Sequence, residues 1–151
     1  MRKWLNCPVT HSDVKISKEF KVSNDIIHSG VDIEYTGKIY SICEGVVIFK
    51  SSPVNNKDNC IVIQYNKYIC IRMSNLTEIN VNLGDALPRN TIIGQCESYL
   101  HFEYLTTYDI YPSIPSVKVG YQTYYRNDPQ LIIDGSVLLS DSNVSQREEN
   151  D

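Results

Sequence analysis

Histidine is scarce in this chain of 151 residues, which contains only His11, His28 and His101. Histidine side chains transfer protons near neutral pH and are the commonest metal ligands in proteins. His28 opens the segment HSGVD, in which Asp32 follows four residues later. Gly30 between them permits a sharp backbone path that could turn both side chains toward one point. Taken alone, these residues are more often ordinary polar side chains of a surface or pocket than metal ligands.

A second polar constellation lies in the segment YLHFE near residue 100. If this segment is a β-strand, Tyr99, His101 and Glu103 face one side, whereas Leu100 and Phe102 face the other. His101 would then stand on a polar face, beside a pair of side chains that pack into a core.

The sequence pattern predicts that these residues are positioned by an all-β domain. Between residues 26 and 110, short segments rich in Val, Ile, Tyr and Phe alternate with turn residues, and helical periodicity is hard to find. Asn66 and Lys67 predict a tight hairpin turn between two of the segments. The predicted strands cover residues 45–50, 60–65, 68–73, 91–94 and 99–105.

The chain changes character after Tyr108, where Tyr, Pro and Ser become frequent and Pro112 and Pro115 interrupt strand pairing. We therefore predict an N-terminal segment at 1–25, a β domain at 26–131 with an extended Tyr- and Pro-rich arm at 108–126, and a polar tail at 132–151. The tyrosines of the arm could line a glycan or peptide groove, or could pack the arm against the domain or a neighbouring subunit. They are Tyr108, Tyr111, Tyr121, Tyr124 and Tyr125.

Composition excludes several classes of protein. The chain is 42% hydrophobic and 21% charged, a composition typical of a globular protein. Its net charge is -4, so it lacks the excess of positive charge that attracts nucleic acid. No stretch is long and apolar enough to span a membrane, and residues 1–10 lack the apolar run of a signal peptide, so we do not expect export by that route. Five scattered cysteines without a CxxC pair predict reduced, mostly buried thiols.

The order of the motifs resembles the M23 (lysostaphin or LytM-like) zinc metallopeptidases. That family has a HxGxD element, a strand ending in GxV, a YxHL element, an NVxxGxxVxxGxxIG stretch and a closing HLHFE. Corresponding segments occur here at residues 28–32, 42–47, 80–94 and 99–103, and Asn127 to Pro129 resembles the end of such domains. The resemblance spans roughly residues 26–131 and implies a lysostaphin/LytM-like antiparallel β-sheet with a central groove.

The same resemblance assigns the metal ligands to His28, Asp32 and His101. Two histidines and a carboxylate are a sensible catalytic set for Zn²⁺, because they leave a fourth position open for a water molecule whose pKa the metal lowers. Zinc is therefore the cofactor that the family implies for this chain.

The sequence departs from the family pattern at the two histidines that assist catalysis. The first histidine of HLHFE is Tyr99 here, and the YxHL histidine aligns with Met73, or with a residue one or two positions away. Four histidines are needed and the chain has three, one of them far upstream, so at least one catalytic histidine is missing. Tyr99 could donate a hydrogen bond to an oxyanion, but a phenol is a poor base at neutral pH. Arg72 beside Met73 would point to the opposite face of a strand.

Three hypotheses about function follow. The first is a degenerate M23-like domain retained as a structural module within a larger protein assembly, for which fold-level analogy suggests a phage tail or virion, with the chain cytoplasmic before assembly. The second is a zinc endopeptidase that cuts the peptide cross-links of peptidoglycan, in which Tyr99 steadies the oxyanion. The third is a non-catalytic domain that binds the cell wall through its groove and tyrosines. Neither nucleic acid nor membrane is an expected partner.

Overall fold

The computed structural model describes residues 15–23, 27–51 and 59–129 of the chain. These residues form an all-β fold, which confirms the predicted fold class. Within them, no helix is long and apolar enough to cross a membrane. The twelve strands are β1 (Lys15–Lys18), β2 (Lys21–Val22), β3 (Ile27–His28), β4 (Val31–Glu34), β5 (Gly37–Tyr40), β6 (Gly45–Lys50), β7 (Asn59–Gln64), β8 (Ile69–Ile79), β9 (Ala86–Leu87), β10 (Ile92–Thr106), β11 (Val117–Val119) and β12 (Gln122–Asn127).

Ten of these strands belong to one antiparallel sheet with β10 at its centre. The main path runs in the order β1-β4-β10-β8-β7-β6-β9, and β5 and β12 also pair with β10. β11 joins the sheet through β12, while β2 and β3 form a separate two-stranded ribbon. Because β10 pairs with four other strands, side chains along it can meet residues from distant parts of the sequence.

The predicted hairpin at residues 66 and 67 is confirmed. β7 and β8 pair on either side of it, and the side-chain oxygen of Asn66 accepts hydrogen bonds from the backbone N–H groups of Tyr68 (2.8 Å) and Ile69 (3.0 Å). An asparagine that bonds to the backbone in this way stabilises a tight turn.

The two strands predicted at 91–94 and 99–105 are one continuous strand, β10. Its register against β8 shifts between Cys96 and His101, and Ser98 within this bulge has a φ of 72°. A bulge breaks the alternation of inward and outward side chains, so the sequence pattern shows two short strands in place of one.

Alternation along β10 separates two buried layers. Phe102 and its neighbours on the same face belong to the main core, which fills one side of the sheet. Leu105 belongs to a smaller apolar cluster with Val62, Cys70, Val119 and Tyr124. His101 and Glu103 share the face of Leu105, because residues two apart on a strand point to the same side. The polar constellation therefore lies on the face opposite the main core.

The segment predicted as an extended arm at 108–126 is instead folded back onto the sheet. β11 and β12 form a hairpin, and β12 pairs with the end of β10. Tyr124 is buried there, and its hydroxyl accepts a hydrogen bond from the side-chain amide of Gln64 (3.2 Å). Pro112 and Pro115 precede β11, so they leave the pairing of the hairpin intact.

Part of the predicted N-terminal segment also joins the fold. β1 pairs with β4, and the ring of Phe20 packs edge-on against Tyr111 at a centroid distance of 5.2 Å. The sheet thus begins before residue 26. The predicted tail at 132–151 and His11 lie outside the described residues.

The described cysteines are free and buried, as their types predict. Burial raises the pKa of the Cys43 thiol to about 12 despite the charge of Arg89, and raises the pKa values of Cys70 and Cys96 to about 11. The pKa of Cys60 is also raised by burial.

We expect these four thiols to resist labelling by an aromatic disulfide reagent at pH 8 in a Cys7→Ser variant. For Cys43, a pKa of about 12 leaves roughly one thiol in 10,000 as the reactive thiolate at pH 8. The same reagent should count four thiols after denaturation in guanidinium. Fast labelling of any one of them in the folded protein would contradict the buried placement.

Candidate metal centre

The HSGVD segment brings a histidine and a carboxylate to the central strand. His28 ends β3, Asp32 lies in β4, and Gly30 in the bend between them is buried against β10. A Cβ atom at Gly30 would overlap with the backbone carbonyl oxygen of Phe102 and would lie 2.9 Å from Cγ of Glu103. Close approach to β10, and not a positive φ, is therefore the reason that this position requires glycine.

His101 meets Asp32 across the pairing of β4 with β10. The two residues are directly opposite in the register, and Nδ1 of His101 lies 2.6 Å from Oδ1 of Asp32. Opposite residues of an antiparallel pair share one face, so sheet register alone brings these two side chains together.

His28 turns its other ring nitrogen toward the same carboxylate oxygen. Nδ1 of His28 contacts the backbone carbonyl oxygen of Glu19 at 3.0 Å, and Nε2 lies 3.4 Å from Oδ1 of Asp32. A carbonyl oxygen only accepts hydrogen bonds, so Nδ1 carries a proton, and Nε2 is the ring nitrogen that faces Asp32. The two imidazole rings meet edge to face, with their centroids 5.2 Å apart.

The donor atoms of His28, Asp32 and His101 all lie within 4.8 Å of one another. Zinc bonds of about 2.0–2.2 Å place ligand atoms roughly 3–4 Å apart, so small side-chain adjustments would allow one ion to be shared. A proton lies in the 2.6 Å contact between His101 and Asp32, and metal binding would release it. The three residues thus fit a divalent metal in donor chemistry, spacing and orientation.

Glu103 is a part of the site to which the sequence analysis assigned no role. Its carboxylate is only 1% exposed and accepts a hydrogen bond from Nε2 of His101 at 2.9 Å. Burial by itself would raise the pKa of Glu103, but the hydrogen bond from His101 and the charges of Arg72 and Arg126 outweigh it and lower the pKa to about 2. Likewise, burial opposes protonation of His101, yet its hydrogen bonds to Glu103 and Asp32 raise the pKa of the imidazole. A carboxylate bound to the outer nitrogen of a metal-ligating histidine fixes the ring orientation.

Tyr99 and Met73, which the sequence comparison placed where the family has catalytic histidines, lie on opposite faces of the sheet. Tyr99 is on the face of His101, two residues earlier in β10, and its side chain is 39% exposed. Met73 is fully buried in the main core, on the opposite face of the sheet, so its side chain does not reach the cluster. Two residues of β8 next to Met73 do face this side: Ser74 is directly opposite His101, and Nη1 of Arg72 donates to Oε1 of Glu103 at 3.2 Å. Arg72 does point to the face opposite Met73, as expected, but that face is the one that carries His101 and Glu103.

A groove of about 540 Å³ opens beside His28. Residues of β1, β2, β3 and the turn after β1 line it, including the charged side chains of Lys18, Glu19 and Lys21 and the apolar side chains of Ile16 and Ile27. Of the three proposed ligands, His28 is the one that lines this groove, which offers both apolar and charged contacts.

The sequence model of peptidase family M23 matches residues 26–110. No curated protein sequence matches the chain.

Several solved structures share the fold at low sequence identity. The catalytic domain of the prophage-encoded M23 protein EnpA from Enterococcus faecalis, solved as a mutant, is 16% identical, with 82% of this chain and 95% of that chain covered and a TM-score of 0.61. The SpoIIQ–SpoIIIAH pore forming complex contains a chain that is 14% identical, with 89% and 93% covered and a TM-score of 0.65. The antimicrobial peptidase lysostaphin from Staphylococcus simulans is 17% identical, with 91% of this chain and 56% of that chain covered and a TM-score of 0.64.

Proposed function

The chain belongs to peptidase family M23, and on that basis we propose that it is a zinc-binding, catalytically degenerate domain that binds peptidoglycan without cutting it efficiently. The observation that carries the zinc site is the orientation of His28 and His101. Each ring directs one nitrogen to Asp32, while Glu19 or Glu103 holds the other nitrogen. M23 peptidases depend on zinc, and this cluster matches the ligand types that zinc takes in hydrolytic sites.

The proposed loss of catalysis rests on the described residues beside the metal-ligand cluster, none of which is an effective acid or base. A positioned acid or base contributes typically ~100-fold to ~10,000-fold to a rate. Among the described residues, histidine occurs only at positions 28 and 101, and both are needed as ligands. On β8, Ser74 lies opposite His101 and Arg72 is bound to Glu103, and Tyr99 stands two residues before His101 on β10. Neither an engaged guanidinium nor a phenol is an effective base at neutral pH.

An exposed aromatic pair supports wall binding. The rings of Tyr68 and Tyr108 stack with a centroid distance of 6.2 Å and an interplanar angle of 20°, and both side chains are exposed. Lys67 lies over the Tyr68 ring at 4.9 Å. Aromatic faces with polar edges suit sugars and peptides, which present both apolar and hydroxyl or amide surfaces.

We expect the zinc-loaded protein to sediment with purified peptidoglycan and to release no new amino groups from it beyond a zinc-chelated sample. A Tyr108→Ala variant should bind the wall more weakly, because one face of the stacked pair is lost. Tyr121→Ala is the matched control, because this tyrosine is fully exposed at the tip of the hairpin. Binding that is indifferent to Tyr108 would contradict the proposed surface, and zinc-dependent release of amino groups would contradict the proposed loss of catalysis.

The alternative function is a working zinc endopeptidase that cleaves peptidoglycan cross-links, and the ligand geometry favours it. Bound zinc would supply Lewis-acid polarisation and a water molecule of lowered pKa. The groove beside His28 would hold the peptide, and the Tyr99 hydroxyl would donate a hydrogen bond to the oxygen that gains negative charge. If amino groups are released, a Tyr99→Phe variant separates this role from background hydrolysis.

For the biological setting, we propose that the domain acts within a larger protein assembly such as a phage tail or virion. This setting is proposed by analogy, since one structural neighbour is encoded by a prophage and another is part of a pore forming complex. Mass spectrometry of purified virions from a host that carries this sequence would test it, and absence of the chain from the particle would exclude a virion role.

A further inference from the structure

The carboxylate of Glu103 is saturated by hydrogen-bond donors. Oε2 accepts from Nε2 of His101 (2.9 Å), Oγ of Ser29 (2.7 Å) and Nε of Arg126 (3.1 Å), while Oε1 accepts from Nη1 of Arg72 (3.2 Å). A carboxylate offers about four lone-pair positions, so these contacts determine its orientation. The oxygen that receives His101 is therefore placed by Ser29 and Arg126.

Arg126 is itself held at two points. Its Nε donates to Glu103, and its Nη1 donates to the backbone carbonyl oxygen of Pro115 at 2.7 Å, in the loop before β11. The guanidinium group is planar and rigid, so two fixed donors leave it little freedom to turn. Its side chain is 16% exposed, and its partner Glu103 is buried.

The two arginines differ in the carboxylate oxygen that they bind. Arg72 lies in β8 and contacts only the oxygen away from His101, whereas Arg126 contacts the oxygen that His101 shares. Arg126 lies in β12, beyond the residues 26–110 that match the M23 family. The contact is possible because β12 pairs with β10 opposite Leu105, two residues from Glu103 on the same face.

We infer that Arg126 is a positioning residue of the metal centre, which holds Glu103 against Nε2 of His101 so that Nδ1 faces Asp32 and His28. The inference rests on the proposed zinc-binding function and extends the site to the C-terminal hairpin. Through Pro115 and Arg126, the packing of this hairpin becomes coupled to metal affinity.

The direct test is the zinc affinity of an Arg126→Gln variant, measured by competition with a chromogenic chelator. We expect the dissociation constant to rise ~10-fold, the lower end of the range observed when outer-shell partners that contact a metal ligand are removed, because Arg126 acts through Glu103. Lys118→Gln is the matched control, because it removes one cation from the same hairpin at an exposed position of β11. It should leave the affinity unchanged.

Two further measurements distinguish positioning from general support of the fold. If Arg126 acts through Glu103, the Arg126→Gln change should add little to the loss of affinity caused by Glu103→Gln, because the two changes interrupt one connection. In ¹⁵N NMR spectra of the imidazole rings, the slowly exchanging Nε2–H signal of His101 should broaden or vanish in Arg126→Gln and persist in Lys118→Gln. Arg126→Lys retains one donor, so it should give an intermediate affinity and serves in place of Arg126→Gln if the latter does not fold.

A folded Arg126→Gln protein with the affinity and Nε2–H signal of the wild type would overturn the inference. So would equal, additive losses in the Glu103→Gln background. If the wild-type protein binds no zinc at all, the proposed function fails, while the NMR comparison, which needs no metal, still decides whether Arg126 positions His101.

Discussion

Replacing His101 by alanine is expected to abolish stoichiometric zinc binding. The change removes Nδ1, one of three donor atoms within 4.8 Å of one another, and leaves Asp32 and Glu103 without their shared partner. Loss of an outer-shell contact alone costs ~10-fold to ~100-fold in metal affinity, so loss of a ligand should weaken binding by more than ~100-fold. Elemental analysis of protein purified without a histidine tag should give about one zinc per wild-type chain and none per variant chain.

The matched control for this experiment is His11→Ala, which removes the one histidine that the proposed cluster does not use. Zinc content should stay at the wild-type level in this variant. Thermal unfolding of both variants separates loss of a ligand from loss of the fold. Full zinc content in folded His101→Ala protein would rule out the proposed ligand set.

A Gly30→Ala substitution is expected to cause a large loss of stability, together with weaker metal binding. The added Cβ atom would overlap with the carbonyl oxygen of Phe102, which is backbone in a central strand and cannot rotate away. Overpacking of this kind costs about 3 kcal/mol at the upper end of its usual range. Because β4 must move away from β10, the contact between Asp32 and His101 lengthens as well. Denaturant unfolding and chelator competition measure the two effects.

Gly120→Ala is the comparison that isolates close packing from backbone conformation. Gly120 has a φ of +61° in the turn between β11 and β12, and a Cβ atom there meets no atom within 4 Å. The substitution should cost about 1 kcal/mol from the left-handed conformation and should leave zinc affinity unchanged. Equal effects of the two substitutions on zinc affinity would refute the close-approach explanation for Gly30.

Features of the fold that depend on neighbouring residues were predictable from the sequence. The alternation of apolar residues and the turn at Asn66 identify β6, β7 and β8, since both signals lie within a few residues. Features that depend on pairing between distant strands were not predictable from the sequence. Because of the bulge at Ser98, the sequence pattern predicts two short strands in place of β10. The prolines near residue 115 predict an extended arm, although a hairpin follows them.

The same division applies to the candidate site. Motif order indicates His28, Asp32 and His101, and the structure brings these three side chains together. The alternation in YLHFE also places Glu103 on the polar face, but burial of that carboxylate depends on Arg72 and Arg126, which lie 31 and 23 residues away in sequence. Neither amino-acid composition nor a local motif indicates that these distant arginines pair with Glu103.

The sequence by itself determined the β class, the M23 family and the chemical types of the three metal-ligand candidates, because short motifs and period-two alternation record these directly. Only the tertiary structure decided that Arg72, and not Met73, faces the cluster, and that the C-terminal hairpin contributes Arg126 to it. The physical reason is strand register: a shift of one residue moves a side chain to the opposite face of a sheet, and pairing between distant strands sets that register.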